Sequence, residues 1–215
     1  MMYWLLLTLA YAIEITPWFL PNEEERKELT VAYLEQHYTG KLSGDINVDT
    51  MMNPKVIVLH WTAGSSAKST WNTFSSARLH GRANIQRGGA VNVGSQFLVD
   101  RDGTIYQLLD EKRIARHCIG LNHISIGVEN VGGRSGYPLT EAQLEANEQL
   151  IRYLANKYDI THVIGHYEYR AFEGHPYFSE KDDTYRTTKI DPGKEFMANI
   201  RTRISDLGLE GAPQK

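Results

Sequence analysis

This chain should fold as an α/β (mixed α+β) protein, a central mixed β-sheet flanked by helices. Val56-Ile57-Val58-Leu59 is an unbroken apolar run, the pattern of a strand buried on both faces. Asp102-Gly103 sits between two strand-like segments and is a strong hairpin signal, so at least one strand pair is antiparallel. Thr140-Glu141-Ala142-Gln143 has the form of a capping box, followed by apolar residues at three- and four-residue spacing, which opens a long amphipathic helix. The parallel-sheet rhythm is only partial, and a mixed sheet covered by helices accommodates all three.

The chain of 215 residues is long enough for one well-buried core. Its net charge of −3, with basic residues dispersed, leaves no electrostatic footprint for nucleic acid. Cys118 is the only cysteine, which rules out an internal disulfide. It reads as a small buried residue, the alternative being a nucleophile beside His117.

Element by element, Trp4-Leu5-Leu6-Leu7-Thr8-Leu9 and then Ala10-Tyr11-Ala12 give residues 1–20 the look of an export signal, or else of a packed N-terminal strand or tail. The segment is too short to span a bilayer, so no stable membrane span is expected. Residues 21–53 form an N-terminal helix and connector. The helix runs over 23–38, capped by Asn22, with Leu29, Ala32, Tyr33 and Gln36 on its inner face and a stop at Gly40. The main domain, 54–206, begins with a buried strand over 55–60. A helix over 69–80 follows, turning Trp71, Phe74 and Leu79 inward, and then a loop over 81–94. The hairpin strands are 95–100 and 104–109. The strand over 124–131 puts Ile124, Ile126 and Val128 on one face and Ser125, Gly127 and Glu129 on the other. The long helix presents Leu144, Asn147, Ile151, Leu154 and Tyr158 to the core. A short strand over 161–165 leaves His166 at its end. Pro192, at the first helical position, starts a last helix with Phe196, Ile200 and Ile204 inward. Residues 207–215 are a C-terminal tail.

Four side chains stand at the ends of these elements. His60 ends the first apolar run, Glu129 closes Ser125-Ile126-Gly127-Val128, His166 follows Val163-Ile164-Gly165, and Asp191 lies in Lys189-Ile190-Asp191-Pro192-Gly193. Two imidazoles and one carboxylate are a three-ligand zinc set with a fourth position open, and a separate Glu can move protons. Each has a plainer reading. Among eight histidines, His60 or His166 alone is more often a hydrogen-bonded structural residue. Asp191 before Pro192 is a normal helix cap, Glu129 a surface strand residue, and Lys189 a solvated cation. Spacing alone does not pick out the ligand pair.

Five segments do more together. V-I-V-L-H-W-T-A-G (56–64), F-L-V-D-R-D-G-T-I-Y-Q-L (97–108), A-R-H-C-I-G-L-N-H-I-S-I-G-V-E-N (115–130), V-I-G-H-Y-E-Y-R (163–170) and K-I-D-P-G (189–193) occur in one order across roughly residues 54 to 204. Together they resemble the zinc-dependent N-acetylmuramoyl-L-alanine amidases of the type-2 amidase superfamily, which includes the peptidoglycan recognition proteins. The resemblance implies the amidase/peptidoglycan-recognition-like fold and Zn2+ held by His60, His166 and Asp191. It implies Glu129 as the catalytic proton carrier, Lys189 as stabiliser of the oxyanion, and His117 and Asn122 as substrate-binding residues lining the groove. The implied reaction is hydrolysis of the amide between N-acetylmuramic acid and L-alanine, on peptidoglycan or a muropeptide, by a monomer. A periplasmic or secreted location suits that substrate, with a cytoplasmic one as the alternative. A non-catalytic peptidoglycan-binding protein of the same fold is the second reading, and a cysteine-dependent amidase using Cys118 and His117 the third.

The sequence departs from the family in three places. Gln96 stands where many relatives carry His or Asn, and receives no role. Glu129 is followed by Asn130-Val131-Gly132-Gly133, which alters the neighbouring loop. The polar and aromatic stretch 168–188 is longer than in compact relatives and should border the cleft, as a substrate-binding wall or as a packed loop.

Overall fold

Strand β2 (Val56–Trp61) is buried along nearly its whole length, as an apolar run without a polar face requires. It lies between two parallel neighbours, β5 (Ser125–Asn130) and β6 (His162–Gly165). The computed structural model describes residues 13–40 and 51–214, and at 83 and 84 the backbone alone. The hairpin strands β3 (Phe97–Val99) and β4 (Ile105–Gln107) pair antiparallel, and β3 joins β5 in parallel. The expected mixed sheet is therefore present, in the order β1-β4-β3-β5-β2-β6.

Its outermost strand, β1 (Ile15–Pro17), pairs in parallel with β4. The N-terminal segment thus joins the sheet from residue 15 onward, while the export-signal stretch Trp4–Ala12 lies outside the described residues, as do residues 41–50 of the connector. No helix among the described residues is long and apolar enough to cross a membrane.

The period of two sorts the core. Ile57, Leu59, Ile126, Val128 and Val163 pack on one face with Leu150, Leu154, Met197 and Ile200, from helices α4 (Glu141–Lys157) and α5 (Lys194–Arg203). Val56, Val58 and Ile164 face the other way, onto Cys118, Leu121, Tyr169 and Phe172. Ile124, expected beside Ile126, precedes the strand and packs with this second cluster. The capping box of α4 is present: Thr140 Oγ1 accepts from the Gln143 backbone N–H at 3.2 Å, and Gln143 Oε1 accepts from that of Thr140 at 3.0 Å. Gln143 is also fully buried, its amide donating to Val99 and Val131 carbonyls at 3.2 and 2.9 Å, so the cap also ties the helix to the sheet.

Four expectations about the helices need correction. Helix α1 (Glu23–His37) forms where expected, but Asn22 makes no side-chain cap and adopts a left-handed conformation. Its buried residues are Arg26, Thr30, Tyr33, Leu34 and His37, while Ala32 and Gln36 are exposed. That face is polar and tied to distant segments: Arg26 Nη2 donates to the carbonyls of Phe74 at 2.6 Å and Ser76 at 3.0 Å, and His37 Nδ1 meets Glu180 Oε1 at 2.7 Å. Helix α2 (Ala67–Ser75) starts earlier than expected, because Ser66 Oγ accepts from Ser69 N–H at 3.2 Å, and ends earlier as Ser76 turns extended. Residues 81–94 are not wholly loop, since Ala83–Gln86 makes one helical turn, α3. The last helix begins at Lys194 behind Gly193, not at Pro192, so Asp191 is not its cap.

Candidate metal centre and cleft

The parallel register sets the site. His60 is the partner of Glu129, and Leu59 that of Gly165, the residue before His166. The carboxyl ends of β2, β5 and β6 thus deliver two imidazoles and a carboxylate to one edge of the sheet, where open α/β sheets place their ligands. Behind that edge, Asn130 Nδ2 donates to the His60 carbonyl at 3.1 Å, and Asn147 Nδ2 to Asn130 Oδ1 at 2.6 Å. This buried amide pair pins the β2–β5 end from the helix side.

Asp191 follows a stretch without regular secondary structure and opens a turn. Lys189 and Asp191 line the cleft while Ile190 between them is 69% exposed, the alternation expected of i and i+2. The Tyr167 backbone N–H donates to the Asp191 carbonyl at 3.0 Å, tying this stretch to the turn after His166. His60 Nδ1 lies 2.9 Å from His166 Nδ1 and 3.2 Å from Asp191 Oδ2, and His166 Nδ1 is 2.9 Å from the same oxygen. These three residues are the group among the described residues whose donor atoms could hold a metal ion. A tetrahedral ion with bonds of about 2.0–2.1 Å separates its donors by about 3.3 Å, so the triangle matches such a site in slightly contracted form. Three lone-pair atoms this close require a shared proton or a cation among them. Burial first, and then His60, push His166 down to about 3, leaving it neutral and able to ligate at pH 7. Burial works to raise Asp191, but hydrogen bonds with His166 and His60 outweigh it and hold the carboxyl well below its usual range.

Glu129 lines the same cleft. The residue is half-buried, yet its Oε2 is shut from solvent with no hydrogen-bond partner among the described residues. Burial pushes its carboxyl up to about 7 against the pull of His60. Such a group, free at one oxygen and poised near neutrality, suits general acid–base work. The charge of Lys189 acts on Glu129 in the lowering direction.

The cleft is about 470 Å³. His117 and Asn122 both border it, but their polar atoms are engaged within the protein. Asn122 Oδ1 accepts from the backbone N–H groups of His117 at 2.9 Å and Cys118 at 2.7 Å, and its Nδ2 donates to Tyr33 Oη at 2.9 Å. Burial pushes the Cys118 thiol well up, which disfavours the thiolate that a cysteine-dependent reaction needs. The 168–188 stretch is both packed and bordering: Tyr169, Phe172 and Tyr185 are buried, and Tyr185 and Thr187 line the cleft.

Two residues with structural work at this site had no sequence signal read as such. Gln96 is completely buried, accepting from Gly127 N–H at 2.7 Å and donating to the Arg113 carbonyl at 2.7 Å. It thereby fixes β5 two residues from Glu129. Arg116 donates to the carbonyls of Gly89 at 3.0 Å and Val91 at 2.8 Å and to Tyr185 Oη at 2.9 Å, clamping the cleft wall. The unusual Asn130-Val131-Gly132-Gly133 loop has a steric reason: a Cβ on Gly133 would come 2.2 Å from the Trp61 ring, and its φ is +93°.

With this geometry in place, comparison with known proteins is informative. The family model described as N-acetylmuramoyl-L-alanine amidase matches residues 50–194. The endolysin of Escherichia phage T7 is 35% identical over 85 residues, 37% of this chain and 56% of the endolysin. The chain therefore spans about half the length of that relative. Peptidoglycan recognition protein 3 of Mus musculus is 26% identical over 137 residues, 57% of this chain and 39% of that protein. Among solved structures, the amidase LysC from Clostridium intestinale superposes with a TM-score of 0.55 at 21% identity, over 93% of this chain and 100% of that one. Bumblebee PGRP-SA gives 0.52 at 18%, over 95% and 100%. At these identities the structures establish the shared fold.

Proposed function

The chain belongs to the N-acetylmuramoyl-L-alanine amidase family, and from that premise we propose that it hydrolyses the amide between the lactyl group of N-acetylmuramic acid and L-alanine, in peptidoglycan or in muropeptides. The observation that carries this reading is the meeting of His60, His166 and Asp191 at 2.9–3.2 Å in a cleft that Glu129 also lines. The donor set suits zinc. Zinc bound there would supply Lewis-acid polarisation of the scissile carbonyl and a water of lowered pKa.

The chain's own residues do the rest. Glu129 accepts a proton as the water oxygen attacks the carbonyl carbon. It returns one to the nitrogen as the C–N bond breaks, so the amine leaves neutral. Lys189 offers an ammonium to the negative charge that develops on the carbonyl oxygen. A complete donor set with an acid beside it favours this over a non-catalytic binding protein. The substrate lies in the cell wall, which favours action outside the cytoplasm, and a monomer suffices because the cleft is built from one chain.

Metal dependence tests the reading. Turnover of a soluble muropeptide should stop on chelation and return with zinc, at about one ion per chain for one three-ligand site. Full turnover in metal-free protein would refute it. In the same assay Lys189→Ala should lose about 2.7–4 kcal/mol of barrier stabilisation, the range for one lost oxyanion donor, chiefly in kcat. An unchanged kcat with a raised KM would make Lys189 a binding residue.

A further inference from the structure

We propose that His117 is a positioning residue for the metal centre, one that fixes the tautomer and ring orientation of His60 by a hydrogen-bond relay to the β5 backbone. The inference rests on the zinc reading above. His60 turns Nδ1 toward His166 and Asp191. A ligating nitrogen must be free of its proton, so a neutral His60 carries that proton on Nε2. Nε2 lies 3.1 Å from His117 Nδ1, which must then accept.

The far end of the relay fixes the same direction independently. With Nδ1 accepting, the His117 proton sits on Nε2, 3.2 Å from the Ser125 carbonyl oxygen and 3.3 Å from Ser125 Oγ. A carbonyl can only accept, so His117 Nε2–H must donate. One pair of tautomers satisfies both contacts, and the alternative pair leaves the carbonyl facing a lone pair.

The ring of His117 is itself held. It meets His60 edge-on, centroids 5.2 Å apart at 85°. It packs over Gly127, where an added Cβ would come 2.9 Å from its Cγ and Nδ1. Its backbone is pinned by Asn122. With both ring nitrogens engaged, neither is left for a sugar or peptide, so the work of His117 is on the ligand rather than the substrate. Partners of this kind orient a metal-bound imidazole and raise its basicity.

Zinc affinity of the full chain, measured by competition with a chromogenic chelator, tests the relay. His117→Phe keeps a planar ring and removes the acceptor, and should weaken zinc about 10–100-fold. It should also alter the visible spectrum of the cobalt-substituted protein. His117→Asn places Oδ1 where Nδ1 stood and should restore most of the affinity. Wild-type affinity in His117→Phe would overturn the proposal, as would equal weakening in both variants, which would mean that ring packing rather than the acceptor matters. Should His117→Phe fail to fold, Gly127→Ala displaces the ring instead: weakened zinc supports the relay, unchanged zinc overturns it. A wild-type chain that takes up no zinc would sink the zinc reading, and this inference with it.

Discussion

Glu129→Gln should lose about 10²–10⁴-fold in turnover while the metal-free protein gains stability above neutral pH. The two effects share one cause. Glu129 Oε2 is buried without a partner among the described residues, and burial pushes its carboxyl up to about 7 from 4.5. A group whose folded pKa exceeds its unfolded one favours the folded state most below pH 4.5. That advantage fades as pH rises, and is gone above about 7. For a half-buried residue the shift corresponds to at most about 3 kcal/mol. The neutral amide never ionises, so the gap in thermal stability between Glu129→Gln and wild type should widen from pH 5 to pH 8. Turnover depends on pH in the opposite sense. The base must be a carboxylate, so activity rises with pH through the pKa of Glu129, and a bound dication moves that limb below 7. Equal stability at both pH values together with near-normal turnover would remove Glu129 from the chemistry.

Asp191→Ala should lose the metal. The carboxylate is one of three groups that could hold a metal ion, at 2.9 and 3.2 Å from the two imidazoles. Deleting it should weaken zinc by more than the roughly 10–100-fold typical of an outer partner. The fold should persist, because α5 begins at Lys194 behind Gly193 and takes no cap from Asp191. Zinc content after dialysis, set beside circular dichroism, gives the answer. Glu129→Gln should retain its zinc under the same dialysis. The opposite pattern, with metal lost from Glu129→Gln and kept by Asp191→Ala, would exchange the roles of the two acids.

What could be read from the sequence follows from where the determining interactions lie. Strand β2, the Asp102-Gly103 hairpin and the Thr140 capping box are specified by residues a few positions apart, and all three stand where expected. The inner face of α1 was misread because Arg26 and His37 are buried by partners 48 and 143 residues away, which no helical periodicity reveals. β1 is a three-residue edge strand, too short to show an alternation. Pro192 reads as a first helical residue, but it lies in a turn closed by the Gly193 N–H on the Ile190 carbonyl at 3.0 Å, and the helix starts only at Lys194, which leaves Asp191 free for the cleft. His60 and Asp191 are 131 positions apart, and only the β2–β5–β6 register makes neighbours of such distant segments. The motif resemblance supplied what spacing could not. For His117 and Asn122 it offered a groove-lining role; both do border the cleft, and their polar atoms also hydrogen-bond within the protein.

The most direct test of the central claim is mass spectrometry of the products that the purified chain releases from sacculi and from a soluble muropeptide. Cleavage of the lactyl–alanine amide predicts stem peptides with a free N-terminal L-alanine and glycans whose muramic acids keep an intact lactyl carboxylate. Products cut within the glycan or between stem-peptide residues, or no products from zinc-loaded protein on either substrate, would contradict it.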